Sequence, residues 1–175
     1  MIITDEWISE HGPCQEAFDW WDKKERDAIV LLRRLFEQEH YSWANWLIVR
    51  VMTRPQNLAY AIFAAEQVIE IYERKYAGDN RPRAAIEAAK KVMEDDTPEN
   101  RAAAYAAEVA ADAAYTADAA ADAAACAAYA ARAARTAADA ARAAARAAYA
   151  AACAADAAMY KKILEYGIGM LEKVT

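Results

Sequence analysis

Two arginines flanking a proline, Arg81 and Arg83 around Pro82, offer the most specific chemistry in the chain. Proline suits the first turn of a helix, where free backbone N–H groups and the helix dipole already favour anions. Two guanidinium forks at that point can clamp a phosphate or carboxylate in bidentate fashion. The same arginines can instead pair internally, with Asp79 or Glu87, and fix the turn. A second constellation is aromatic. Trp20, Trp21, Trp43, Trp46, Tyr60, Tyr72 and Tyr76 recur at helical spacing, which suits a core. A bundle filled by alanine is a poor partner for so many rings, so some can line a pocket. There a ring can stack on a base while Arg50, Arg81 or Arg83 holds phosphate. The candidate binding set is therefore Trp43, Trp46, Arg50, Tyr60, Asp79, Arg81, Arg83 and Glu87.

Other chemistries find weaker footing. His11 and His40 are the only histidines, and neither has a second ligand three or four residues on, so no metal site is expected. Paired carboxylates such as Asp95-Asp96, and the row Asp112, Asp118, Asp122, fit a solvated or salt-bridged face. Acid–base catalysis would need two carboxylates in a cleft with separated pKa values. The chain has no nucleophile elbow, no zinc-protease helix, no phosphate-cradling glycine loop, and only four glycines. No catalytic residue and no cofactor is expected.

These residues must be positioned by helices. Thirty-eight of the sixty residues from Arg101 to Tyr160 are alanine, the best helix former, and none is glycine or proline. The remaining side chains follow at steps of three or four on one drifting stripe. A straight rod of that length would reach about 90 Å, so the tract is expected to fold back as a close-packed hairpin, turning near residues 124–136. Thr136-Ala-Ala-Asp139 reads as a capping box, and Thr116 with Asp118 as a weaker start. Such a turn sets Glu108, Asp112, Asp118 and Asp122 against Arg132, Arg135, Arg142 and Arg146.

Upstream, Gly12-Pro13 opens a short helix through Trp21, and a second helix covers about residues 25–39. Ser42 caps a third. Thr53-Arg54-Pro55 starts another over 55–76, Asn80 caps one from Arg81 to about Glu94, and Thr97-Pro98-Glu99 starts the alanine tract. The last apolar patch, Ile163 to Leu171, is expected to end at Gly167 and Gly169. No stretch reads as a strand. The fold class is all-α: a single helical domain over residues 1–175, aromatic-rich over 1–96 and alanine-rich over 97–175.

Net charge is −6, all of it in residues 1–100, which argues against a nucleic-acid partner. Cys14, Cys126 and Cys153 are far apart and read as free thiols in a reducing cytoplasm. The first residues lack the pattern of a signal peptide, and the alanine tract carries too many charges to cross a bilayer.

Asp79-Asn80-Arg81-Pro82-Arg83-Ala84-Ala85-Ile86-Glu87-Ala88-Ala89 is similar to the R-P-R-x-A-I-E-A-A signature of an alanine-rich immunity-protein family, the fifth-numbered such family of bacterial polymorphic toxin systems. Trp43-Ala44-Asn45-Trp46-Leu47 resembles that family's D-W-L-L-W-L element, departing at Asn45 and in lacking an acid before Trp43. The likeness covers about residues 14–165. It implies neutralisation of a toxin by binding, without catalytic residues, and an occurrence in phage genomes that makes counter-defence equally natural. The expected function is thus a non-enzymatic protein that neutralises a toxin or defence effector. The alternative is a sponge that sequesters an anionic, nucleotide-like immune signal. A third reading is a module that forms a homo-oligomer through its alanine faces.

Overall fold

The computed structural model describes residues 1–112, 119–134 and 137–173. The described residues form ten helices and no strand beyond an isolated bridge between Ile2 and Asp27. They are α1 (Asp5–His11), α2 (Gln15–Trp20), α3 (Ala28–Glu37), α4 (Tyr41–Val51), α5 (Arg54–Lys75), α6 (Arg81–Glu94), α7 (Pro98–Asp112), α8 (Ala119–Ala133), α9 (Ala137–Ala154) and α10 (Ala157–Glu172). None is long and apolar enough to cross a membrane.

The long α5 is the axis of the bundle, with α6, α8, α9 and α10 packed around it. Its buried side, Leu58, Ile62, Ala65, Ile69 and Tyr72, carries the helical period seen in the sequence. Full burial of side chains such as Ile48, Ile69, Ile86 or Leu164 contributes about 1.5–3 kcal/mol each. Alanine does something different. On α8 and α9, Ala127, Ala130, Ala131, Ala143, Ala144, Ala147 and Ala148 are all buried. They bury little area apiece but let backbones approach closely, and Cys126 Sγ reaches the Ala147 carbonyl across the seam at 3.1 Å.

The alanine tract does fold back, but as three helices rather than one hairpin. α7 packs on α8, and α8 on α9. The expected turn window is occupied to Ala133 by continuous α8, because nothing in residues 119–133 breaks an alanine helix. The start signals at Thr116 with Asp118 and at Thr136, together with Tyr115 and Arg135, lie outside the described residues. Of the expected cross-pairs, Glu108 with Arg132 is formed, with the Glu108 side chain 3% exposed.

Five local readings are corrected. Thr4 caps an unexpected first helix, its Oγ1 accepting from Trp7 N–H at 3.1 Å. Pro13 precedes the cap of α2 instead of opening it. Ser42 lies inside α4, whose cap is His40, and at α6 the Asp79 carboxylate, not Asn80, receives the Arg81 N–H at 3.1 Å. Finally, α10 runs through both glycines to Glu172. Gly167 is there because its neighbours leave no room: an added Cβ would lie 2.6 Å from Ile48 Cδ1 and 2.7 Å from Tyr60 Cε2. The Thr53 and Thr97 signals hold. Thr53 N–H donates to Gln56 Oε1 at 2.9 Å, and Thr97 Oγ1 accepts from Asn100 N–H at 3.2 Å.

Candidate functional site

An open cavity of about 610 Å³ lies where α4, the start of α5 and α9 meet. α4 presents Ser42, Asn45, Trp46, Val49 and Arg50 to it, a spacing of three and four that marks one helix face. α5 adds Arg54 and Asn57, and α9 adds Arg142, Ala145 and Arg146. His11, at the end of α1, completes the rim.

Four guanidinium groups line this space, and among the described residues no carboxylate does. Only Arg54 is neutralised, by Asp96, while it also donates to the Ala134 carbonyl at 2.9 Å. Arg50, Arg142 and Arg146 have no carboxylate partner among the described residues. Arg50 is half-buried and held in place: Nη1 donates to the Trp46 carbonyl at 2.8 Å, and the guanidinium lies 4.1 Å over the Trp46 ring. Burial lowers its pKa from the ordinary arginine value, yet arginine stays charged at neutral pH. Arg142 and Arg146 are exposed at the rim, Arg146 leaning 5.8 Å from the Tyr129 ring. In a chain of net charge −6, gathering like charges without counter-charge is unfavourable until an anion fills the space.

The polar floor is already committed. Asn45 donates to the Ala145 carbonyl at 2.9 Å and accepts the Tyr60 hydroxyl at 3.1 Å, tying α4 to α9 and α5. Asn57 donates to the carbonyls of Val49 and Met52 at 2.9 and 3.3 Å. Those two bonds fix the orientation of its amide and leave the buried Oδ1 without a partner. His11 is stacked on Trp7 with 4.0 Å between centroids, and its Nδ1 meets the Trp7 carbonyl at 2.8 Å.

The sequence-derived candidates divide. Trp46 and Arg50 line the cavity, and Tyr60 sits behind it. Trp43 points elsewhere, stacked on His40 at 4.2 Å and close to Trp20. Asp79, Arg81 and Arg83 lie at the far end of α5, about 28 Å of helix from Arg54, and Glu87 lies on α6, sharing Lys90 with Glu66 of α5. Arg81 is closed on Asp79 at 2.6 Å, Arg83 on Glu73 at 2.7 Å through both oxygens, and Glu87 on Lys90 at 2.9 Å. Of the two readings of Arg81 and Arg83, internal pairing is the one found, with Glu73 in place of Glu87 for Arg83. Arg54, Asn57, Arg142 and Arg146 were missed. The readable signal was Arg142 and Arg146 four apart on one face, which the sequence suggested would meet the acidic block.

These ion pairs set a pH response. Hydrogen bonds from Arg81 to Asp79, from Arg101 and Arg54 to Asp96, and from Arg83 to Glu73 hold those carboxyls below their usual range. Depressed carboxyl pKa values contribute stability that is present above the unfolded value near 4 and lost as pH falls. Burial, with the Asp79 hydrogen bond, pushes the Tyr72 hydroxyl up to about 12. That contribution is complete below about pH 10 and is lost as pH rises through about 12. Denaturant melts should therefore weaken steeply between about pH 4 and 2, and Asp79→Asn with Asp96→Asn should lower stability at pH 7 and flatten that limb. An unchanged acid limb in the double variant would assign the loss to other carboxylates.

Comparison with protein-family models, curated proteins and solved structures finds no match, so the functional reading rests on the geometry of the arginine-lined cavity.

Proposed function

We propose that this chain is a non-enzymatic binding protein that captures and holds an anionic, phosphorylated small molecule of nucleotide type in the α4–α5–α9 cavity. The observation that carries this is the lining set: Arg50, Arg54, Arg142 and Arg146 share one cavity that no carboxylate lines among the described residues. Guanidinium groups match phosphate oxygens in fork geometry, and the volume falls within the range of small-molecule sites, about 300–1,000 Å³. Cations and neutral amides suit holding an anion better than activating water against it. Sequestration of a signal would neutralise a defence pathway by capture, which agrees with the counter-defence implication of the immunity-family resemblance.

The test is native mass spectrometry of the protein purified from cells with an active nucleotide-signalling defence system, followed by thermal melts with phosphate compounds. A small bound mass that releases phosphate is expected. A saturating ligand at a hundred times its Kd should add about 2.7 kcal/mol, or roughly 5–10 °C for a chain of this size. A bare chain that no phosphate compound stabilises would end this reading.

A protein-partner reading has one observation in its favour. Ala102, Tyr105, Ala106 and Val109 form an exposed apolar strip along α7, with Tyr105 52% and Val109 53% exposed. A co-purifying chain of fixed stoichiometry, released by Val109→Asp, would favour direct neutralisation of a toxin or effector over ligand capture.

A further inference from the structure

The lining of the cavity divides sharply between groups still able to bind and groups already used. Every hydrogen-bonding floor group that could read the edge of a base is committed, apart from the Asn57 Oδ1 acceptor. The one indole at the site, Trp46, already carries the Arg50 guanidinium 4.1 Å over its ring and meets Trp7 edge-on at 6.0 Å. A base would have to displace a cation–π contact to stack there. By contrast, the cationic donors without a carboxylate partner among the described residues suit anionic oxygens: Arg50 on α4, which keeps N–H groups beyond its one bond to Trp46, and Arg142 and Arg146 on α9, with the exposed Ser42 also on the lining.

Charge sets the size of the anionic group. Three guanidiniums lack a carboxylate among the described residues. One phosphoryl group of charge near −2 leaves them under-compensated, while two or three linked phosphoryls match them and can span from α4 to α9. The surrounding chain is acidic overall, which disfavours a long nucleic acid, whose further phosphates would lie against that surface.

We infer that the cavity grips its ligand by a compact group of two or three linked phosphoryls and leaves the attached base unread. Arg50 forms the fixed half of the grip, held by Trp46, with Arg54, already neutralised by Asp96, beside it. Arg142 and Arg146 form the half that closes from α9. This rests on the anion-capture reading of the same cavity.

Titration calorimetry in magnesium-free buffer with phosphate, pyrophosphate, tripolyphosphate, ATP, GTP, UTP and adenosine tests it. Tripolyphosphate should displace ATP, and the three nucleotides should agree within about threefold. Phosphate should bind about a hundredfold more weakly, as expected when two charge-assisted contacts are lost. Adenosine should not bind. Arg142→Ala with Arg146→Ala, both at exposed positions, should weaken tripolyphosphate and ATP alike by about a hundredfold, while Arg33→Ala on α3 changes neither.

Differences of more than about thirtyfold among the nucleotides, equivalent to about 2 kcal/mol of base reading, would overturn the inference and leave anion capture standing. Failure of tripolyphosphate to compete with bound ATP would do the same. A triphosphate-ended RNA bound far more tightly than tripolyphosphate would overturn it in favour of a macromolecular ligand. Absence of binding by every anion would remove the capture reading itself.

Discussion

Arg50→Met should abolish most phosphate capture, weakening tripolyphosphate by about a hundredfold, while leaving the free protein within about 1 kcal/mol of its original stability. The two halves of that result come from the same cause. Arg50 is half-buried beside three other arginines, and its compensation is one carbonyl bond to Trp46 and one indole face. A hydrogen bond from a charged group is worth about 1.5–3 kcal/mol and a cation–π contact about 0.5–2 kcal/mol. Against them stand the desolvation of a guanidinium, several kcal/mol when buried in full, and repulsion from its neighbours. Methionine keeps the packing of the stem over Trp46 and removes both penalties. An arginine whose worth is structural behaves in the opposite way. Denaturant melts and calorimetry on one preparation decide between the two. A loss of more than about 3 kcal/mol in the melt, with binding intact, would make Arg50 a strut and not a ligand.

This pairing of modest structural worth with a large binding effect explains why the site was only half visible in the sequence. The helix-forming signals were local. Alanine content, the period of Leu58, Ile62, Ala65 and Ile69, and the Thr53 and Thr97 caps each act within a few residues, so the all-α bundle could be read directly. The cavity is assembled from α1, α4, α5 and α9, whose lining residues span positions 11 to 146. Trp46 and Arg50 were legible because they share a helix face and combine a ring with a cation. Arg142 and Arg146 carried the same charge but lay in a tract where acids and bases look complementary, and which helix they would face depends on where the tract turns. Arg81 and Arg83 misled for a related reason. A helix start with two arginines looks the same in sequence whether its charges point to a ligand or close on Asp79 and Glu73.

The two glycines of α10 put this distinction to the sharpest test, since sequence treats them alike and the structure does not. Gly167→Ala should destabilise the protein relative to Gly169→Ala, which should stabilise it, with a difference of about 1–3 kcal/mol between the variants, or roughly 3–10 °C. Both substitutions gain the same helix propensity, about 1 kcal/mol. At Gly169 an added Cβ meets nothing within 4 Å, so the gain stands. At Gly167 it meets Ile48 Cδ1 at 2.6 Å and two ring carbons of Tyr60 at 2.7 and 3.0 Å. The Ile48 methyl can turn aside, but the Tyr60 ring is fully buried and its hydroxyl is tied to Asn45 at 3.1 Å. Overpacking of this kind costs about 1–3 kcal/mol. The strain also has a direction. Moving Tyr60 pulls on Asn45, whose amide joins α4 to the Ala145 carbonyl between Arg142 and Arg146. Gly167→Ala should therefore weaken tripolyphosphate binding as well as stability, and Gly169→Ala should leave binding alone. Equal melting temperatures in the two variants would show that α10 does not press on Tyr60. A destabilised Gly167→Ala protein with unchanged binding would separate the packing of α10 from the geometry of the arginine cavity.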